Sequence, residues 1–308
     1  TASFNTAFGS TALDACTTGA YNIAVGASAL GANTTGASNV AVGTYALDAN
    51  TTAASNTAIG YNSLTSNTTA AYNVAVGRDA LNANTTGTRN VAVGTFALDA
   101  NTTANYNIAI GYNTLGTNVT GVNNVAIGDS ALFANTADSN LAIGYQSMVT
   151  NTSGTVNVAV GSGSLGANTS GDSNVAVGYR TAYLLTTADA NTAIGYQAFY
   201  TNTTGASNVA VGAYALDANT TASSNTAVGT SSLGSNTTGS SNASVGTNAL
   251  LTNTTGANNS ALGRSALQAN TTASSGVAIG YNALLANTTG DSNVAIGKDA
   301  LDTNTTGA

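Results

Sequence analysis

Short apolar runs recur along the chain at a fixed spacing. Counted from Asn5, a segment of seventeen residues repeats eighteen times, and each copy follows the consensus N-x-A-(V/I)-G-x-x-(A/S)-L-x-x-N-T-T-(G/A)-x-x. A run such as V-A-V, T-A-I or I-A-I fills positions two to four, and glycine follows at position five in all eighteen copies. β-Branched residues favour strands, and glycine suits a turn that needs a positive φ. The pattern predicts a short strand closed by a turn in every copy.

A second short apolar segment, (A/S)-L, occupies positions eight and nine and leads into N-T-T-G. Asn, Thr and Gly supply turn chemistry, whereas the glycines and β-branched residues disfavour a helix. Two short strands and two turns per copy predict one coil of a β-solenoid, so we expect an all-β fold, a parallel β-roll of eighteen coils. Because no linker or shift in composition divides the chain, residues 1–308 are predicted to form a single continuous repeat array.

Equivalent side chains of stacked coils form ladders, since successive coils lie about 4.8 Å apart. Position four is always apolar and position nine is Leu in fifteen copies, which predicts two apolar columns. Position three is Ala in all copies but one, which predicts a column too tight for a larger side chain. Asn at positions one and twelve predicts amides that bond the coils above and below. In two adjacent copies the predicted structural ladder comprises Asn39, Val42, Gly43, Leu47, Asn50, Asn56, Ile59, Gly60, Leu64 and Asn67.

Each copy carries too little apolar bulk to be stable alone, so its stability must come from neighbouring coils. We also expect partner chains to bury a further face. A parallel homotrimer around one axis would do this. The first and last copies are regular and do not look capped, so we expect either further protein beyond each end or end-to-end stacking of chains into a filament.

Composition narrows the possible functions. Charged residues make up 6% of the chain, the net charge is −7, and Pro, Trp, His and Glu are absent. Too few basic residues are present to neutralise a row of phosphates, so we expect no nucleic-acid binding. They are Arg78, Arg89, Arg180, Arg264 and Lys298. No apolar run approaches the roughly 20 residues of a membrane helix, so no membrane insertion by this segment is expected.

Catalytic chemistry finds no support in these residues. Without His, and with Cys16 as the one cysteine, neither a Ser-His-Asp triad nor a Cys-His pair can be assembled. We therefore expect no enzyme, no cofactor and no metal site. Asp48, Asp99, Asp217 and Asp302 share position ten in non-adjacent copies, and we interpret them as solvated surface residues rather than as a calcium site.

Two copies are irregular. Residues 124–139 are one residue short, and residues 174–190 carry Leu184 and Leu185 in place of the usual Ala and Asn. Drift of the repeat is the favoured interpretation, and a bend or a contact surface is the alternative. The residues predicted for partner contact are Tyr183, Leu184, Phe199 and Tyr200.

Asn-x-Ser/Thr triplets occur at position twelve in fifteen copies. The favoured interpretation is a ladder of Asn and Thr at a turn. In a secretory context the same triplets would be glycosylation acceptors. The candidates are Asn33, Asn50, Asn118, Asn151, Asn219 and Asn304.

The strings NVAVG, NTAIG and NVAIG resemble the N-x-(A/V)-(I/V)-G repeats in the head domains of trimeric autotransporter adhesins. The longer form NTAIGYQAFYTNTTG is similar to repeats in phage tail-fibre and bacterial surface fibre proteins. The resemblance covers essentially the whole chain, although the copies here are longer than the adhesin repeat. It implies a left-handed parallel β-roll of three intertwined chains, a Val/Ile strand that faces inward, and no enzymatic activity.

These observations lead us to expect a structural component of a fibre or filament, a stacked β-solenoid shaft that gives reach and durability. An extracellular or cell-surface location is expected, because five basic residues in 308 leave trypsin few cleavage sites. The alternative is an adhesin head or a phage tail-fibre module on a virion, which binds host receptors or glycans.

Overall fold

The computed structural model describes residues 2–307, which are all-β and contain no helix. It confirms the parallel β-solenoid, with about 17 turns and 18 strands. The chain divides into two compact units, Thr1–Ser153 and Gly154–Ala308, and nine strands lie in each. One continuous array over residues 1–308 stays a prediction.

Each strand is three residues long and occupies positions two to four of a copy. The first unit contains β1 (Thr6–Phe8), β2 (Ile23–Val25), β3 (Val40–Val42), β4 (Thr57–Ile59), β5 (Val74–Val76), β6 (Val91–Val93), β7 (Ile108–Ile110), β8 (Val125–Ile127) and β9 (Leu141–Ile143). The second unit contains β10 (Val158–Val160), β11 (Val175–Val177), β12 (Thr192–Ile194), β13 (Val209–Val211), β14 (Thr226–Val228), β15 (Ala243–Val245), β16 (Ser260–Leu262), β17 (Val277–Ile279) and β18 (Val294–Ile296).

Within each unit every strand pairs in parallel with the next strand along the chain. The partners occupy the same position of successive copies, as where Val42 pairs with Ile59. The short copy 124–139 keeps this register, since Val125 of β8 pairs with Leu141 of β9. Its turn absorbs the missing residue: Asn135 Nδ2 donates to the carbonyl oxygen of Ala137, two residues on, where other copies reach three residues on.

Glycine at position five ends every strand. Its φ lies between +126° and +142°, a region that residues with a side chain rarely adopt. The next coil also leaves no room for a side chain, because a Cβ placed on Gly43 would overlap the carbonyl oxygen of Gly60. Backbone angle and coil spacing therefore both require glycine here.

The predicted second strand does not form in any copy of the described residues 2–307. Positions eight and nine lie in a turn, and the Leu at position nine has a left-handed backbone, with a φ of +52° at Leu47. Positions seven and seventeen are left-handed as well, as at Tyr45 and Ser55. A left-handed residue other than glycine costs roughly 1–2 kcal/mol. Hydrogen bonds between coils offset this cost, as where the Leu47 N–H donates to the carbonyl of Ser63 at 3.0 Å.

Ala at position three and Leu at position nine lie in the interior of the coil. Ala41 and Leu47 are fully buried, as are their equivalents in the neighbouring coils. Where Met148, Ala182 and Phe199 replace the Leu, they are buried as well. The small interior between one strand and one turn explains why position three is held to a residue as small as Ala.

Val and Ile at position four do not face this interior. Alternate residues of a strand point to opposite faces, so burial of the central Ala turns positions two and four outward. Val42 is half-buried and Ile59 is exposed. The expectation of an inward Val/Ile strand is therefore wrong for the single chain, and position four forms its column on the outside of the coil.

Candidate functional site: the outer strand face and the side-chain ladders

The Asn side chain at position one joins successive coils through their backbones. Asn39 is fully buried, and its Oδ1 accepts the backbone N–H of Asn56 at 3.0 Å. Its Nδ2 donates to the carbonyl oxygen of Ala53 at 2.9 Å. Asn56 repeats the arrangement one coil further, with Asn73 and Ala70 as its partners. Each of these side chains satisfies one buried backbone donor and one backbone acceptor.

The Asn side chains at position twelve form a different ladder, from amide to amide. Asn50 Nδ2 donates to Asn33 Oδ1 at 2.9 Å, and Asn67 Nδ2 donates to Asn50 Oδ1 at 3.0 Å. Each Nδ2 also donates to the carbonyl three residues on, as Asn67 does to Ala70. The buried Leu185 takes this position in copy 174–190 and interrupts the column of amides.

The outer strand face is the surface formed by positions two and four of the strands. Ile59 in the first unit is 40% exposed, and Ile194 and Ile279 in the second unit are 39% and 38% exposed. Because equivalent side chains stack above and below, the exposed part is the side turned away from the coil. No Asp, Lys or Arg occurs at positions two and four in any copy. Each unit therefore presents an uncharged, largely apolar row along its strands.

Of the four residues predicted for partner contact, the structure places one in the interior and three at the surface. Phe199 is fully buried in the Leu column, so its assignment to a partner surface is wrong; the ring points inward like the Leu that it replaces. Leu184 is 37% exposed. Tyr183 and Tyr200 are half-buried and stack with their ring centroids 5.6 Å apart. These three side chains reach the surface.

The candidate glycosylation residues lie inside the coil. Five are fully buried, namely Asn33, Asn50, Asn118, Asn151 and Asn219, and Asn304 is half-buried. Glycosyl transfer needs an accessible side-chain nitrogen, whereas Asn219 Nδ2 donates to Asn202 Oδ1 at 2.8 Å and to the carbonyl of Ala222 at 3.0 Å. Modification of the five buried residues would require an opened coil, so the geometry favours their role as ladder residues.

Asp99 and Asp217 are half-buried rather than freely solvated as predicted. Burial raises the pKa of both carboxyls, and hydrogen bonds from backbone N–H groups oppose the rise. Burial also raises the pKa of Asp48, where the charge of Asp14 adds to the effect. Within residues 2–307, no three His, Cys, Asp or Glu side chains are grouped so that they could hold a metal ion.

Asp217→Asn is expected to raise the thermal midpoint at pH 7. The folded pKa of Asp217 is raised above 3.8, so the folded chain binds more protons than the unfolded chain just above that pH. Stability then falls as pH rises through this interval and stays lower at neutral pH. Thermal unfolding at pH 4 and pH 7 should show a smaller difference for the variant than for the wild type. Asp129→Asn, which removes an exposed carboxylate, is the control; an equal effect would contradict the role of burial.

No protein-family model matches the chain, and no curated protein matches it. In the part of the chain that the structure describes, no helix is long and apolar enough to cross a membrane. The likeness to adhesin-head repeats therefore rests on the residues of the repeat alone, and the argument for function has to start from the surfaces of the coil.

Sequence reasoning missed two parts of these surfaces. The first is position two, which joins position four on the outer strand face. The feature of the sequence that indicates it is the small residue at position three, between two larger residues at positions two and four. The second is a cluster of rings around Arg180, formed with Tyr179, Tyr196 and Tyr214. Its signal is the return of aromatic residues at positions six, seven and ten of consecutive copies.

Proposed function

We propose that this chain is a structural segment of an extracellular fibre in which parallel copies of the chain associate through the outer strand face. The observation that carries the proposal is the uncharged apolar row along the strands of each unit. A soluble single chain rarely exposes a long apolar row, and such rows mark surfaces that another molecule covers.

The composition of the interior supports association between chains. The apolar side chains buried in most coils are Ala and Leu, as at Ala109 and Leu115, so a large part of the apolar surface lies outside the coil. Ile108 and Ile110 flank the buried Ala109 on that outer side. A second copy of the chain would bury these side chains and add the apolar contact that the narrow interior lacks.

The number of chains and the hand of the coil come from the resemblance to trimeric adhesin heads. Three parallel chains around one axis would bring the three outer strand faces together, and each face would be covered by the other two. The left-handed coil belongs to the same proposal. A shaft of this kind has no catalytic activity. Its scarcity of basic residues leaves few cleavage sites for trypsin-like proteases outside a cell.

Ile110→Asp tests the proposal. Ile110 is 37% exposed on the outer strand face, and Val119, in the same copy, is 40% exposed at a turn away from that face. Ile110→Asp places a carboxylate in each chain at the shared surface, where like charges repel and lose hydration. We expect its association constant to fall about tenfold or more, whereas Val119→Asp associates as the wild type does. Sedimentation velocity over a dilution series measures both, and circular dichroism checks that the coil is retained.

A wild-type chain that sediments as a folded monomer at every concentration would overturn the proposal. Equal weakening by Ile110→Asp and Val119→Asp would also contradict it, because the outer strand face would then have no special role. A particle mass of three chains would support the homotrimer, and a mass of two would replace it with a dimer.

A further inference from the structure

Five tyrosines and one arginine form an exposed cluster in the second unit, within residues 174–224. They come from three consecutive copies and are Tyr179, Arg180, Tyr183, Tyr196, Tyr200 and Tyr214. We call this group the tyrosine–arginine cluster. It lies on the turn side of the coil, at positions six, seven and ten, and not on the outer strand face.

The rings form two parallel pairs. Tyr179 stacks on Tyr196 with centroids 5.5 Å apart and planes 16° apart, and Tyr183 stacks on Tyr200 at 5.6 Å and 11°. Tyr214 closes one side, because its ring meets Tyr196 edge-on at 5.4 Å. Stacking between coils holds each ring in place, so the cluster is ordered before any ligand arrives.

Arg180 lies between the two pairs. Its guanidinium carbon is 5.4 Å from the ring centroid of Tyr179 and 5.3 Å from that of Tyr183. Cation–π contact on both sides fixes the plane of the group. The side chain is nevertheless exposed, so part of its fork of N–H donors is open to solvent.

Arg180 has no carboxylate within ion-pair distance among residues 2–307. Two other basic side chains do, since Arg78 lies 2.9 Å from Asp79 and Lys298 lies 3.6 Å from Asp299. Asp217 follows Tyr183 and Tyr200 in the column at position ten, and its carboxylate forms no ion pair with Arg180. The cluster therefore holds an oriented cation without a counter-ion.

The copy that precedes the cluster makes room for it. Gly163 and Gly166 stand at positions seven and ten there, and a Cβ placed on Gly166 would lie 2.7 Å from the Tyr183 ring. A Cβ placed on Gly163 would lie 3.3 Å from Cγ of Arg180. Tyr183 and Arg180 thus pack down onto two residues without side chains, and this explains how a large ring and a guanidinium share one turn.

We propose that the tyrosine–arginine cluster binds a carboxylate-bearing sugar residue of an acidic polysaccharide. The planar guanidinium matches a carboxylate through two parallel hydrogen bonds, and the tyrosines offer apolar rings for the sugar and hydroxyls for its polar groups. A polyphosphate is disfavoured, because one arginine in a chain of net charge −7 cannot neutralise a row of phosphates. The inference does not depend on association of the chain into a fibre.

Titration of the full chain with hexagalacturonate, and separately with neutral maltohexaose, tests the inference. Isothermal titration calorimetry should detect binding of the acidic oligomer alone, and binding should weaken as salt is added. Arg180→Gln is expected to weaken it about tenfold or more, because a charge-assisted bidentate contact is lost. Arg180→Lys keeps the positive charge but loses the planar pair of N–H donors, so its affinity for hexagalacturonate should lie between those of the wild type and Arg180→Gln.

Arg264→Gln is the matched control. Arg264 also lies over a tyrosine, with its guanidinium carbon 5.9 Å from the Tyr281 centroid, but no second ring within residues 2–307 faces it. We expect this variant to bind hexagalacturonate as the wild type does. Tyr183→Ala provides a second variant, which should weaken binding while circular dichroism and the thermal midpoint show a folded coil.

Several outcomes would overturn the inference. They are absence of hexagalacturonate binding, equal binding of maltohexaose, equal binding by Arg180→Gln and the wild type, and equal loss in Arg180→Gln and Arg264→Gln. Each can occur whether or not the chain associates through the outer strand face, so this test and the sedimentation test fail separately.

Discussion

Gly212→Ala is expected to lower the free energy of unfolding by about 2 to 6 kcal/mol. Gly212 has a φ of +131°, where a side chain adds roughly 1–3 kcal/mol of backbone strain. Its new Cβ would also lie 2.6 Å from the carbonyl oxygen of Gly229 in the next coil. Relief of that overlap requires the coils to move apart, at a further cost of roughly 1–3 kcal/mol. Denaturant unfolding followed by circular dichroism measures the change.

Gly297→Ala separates the effect of backbone strain from the effect of the overlap between coils. Gly297 has a similar φ of +126°, but a Cβ there would meet only the Ala300 Cβ, at 4.0 Å. This variant keeps the backbone strain without the overlap, so we expect a loss of about 1 to 3 kcal/mol. If Gly212→Ala were no more damaging than Gly297→Ala, the close approach of successive coils would not be what holds position five to glycine.

The glycine turn is the part of the coil that sequence predicts best, because only glycine meets both conditions and the residue is therefore constant. The other left-handed positions leave no such signal. Leu47, Tyr45 and Ser55 all have a positive φ, yet their residue types do not favour it. Hydrogen bonds to neighbouring coils hold these backbones: the Leu47 N–H donates to the next coil, whereas the Tyr45 and Ser55 N–H groups donate to the preceding one. Such bonds exist only in the stack. This is why the sequence predicted a second strand where the chain makes tight turns.

The residues predict two apolar columns, but the inward direction that the resemblance implies for position four is wrong for the single chain. A strand of three residues is too short to show an alternation along itself, and Val at position four looks like a core residue. The decisive residue is the constant Ala between its larger neighbours, as Ala41 between Val40 and Val42. Its small size identifies the side that faces the narrow interior. Once position three is placed inside, positions two and four must lie outside.

Irregularity of the repeat located the candidate binding region only approximately. Copy 174–190 differs from the others because Tyr183 and the two leucines depart from the consensus. The structure shows that Leu185 and Phe199 fill the interior, whereas Tyr179 and Arg180, which look like ordinary surface residues, complete the cluster. Stacking brings residues together that are seventeen apart, so the cluster becomes visible only after the copies are aligned.

The two asparagine ladders look alike in sequence but satisfy different partners. Asn107 and Asn118 belong to the same copy and are both fully buried. Asn107 Oδ1 accepts the backbone N–H of Asn124 at 2.9 Å, and its Nδ2 donates to the carbonyl of Gly121 at 2.8 Å. Asn118 Nδ2 donates to the same Gly121 carbonyl at 3.0 Å, and no group within residues 2–307 hydrogen-bonds to Asn118 Oδ1.

Asn107→Ala is therefore expected to cost about 3 kcal/mol, because it leaves the buried N–H of Asn124 without an acceptor. Asn118→Ala leaves no backbone group without a hydrogen-bond partner, since the Gly121 carbonyl keeps its bond from Asn107. We expect the free energy of unfolding to fall by about 1 kcal/mol. Denaturant unfolding compares the two variants. Hydrogen exchange supplies the local measurement: the amide of Asn124 should exchange faster in Asn107→Ala and unchanged in Asn118→Ala. Equal losses of stability with equal exchange at Asn124 would mean that the position-one side chain does not hold successive coils together through the backbone.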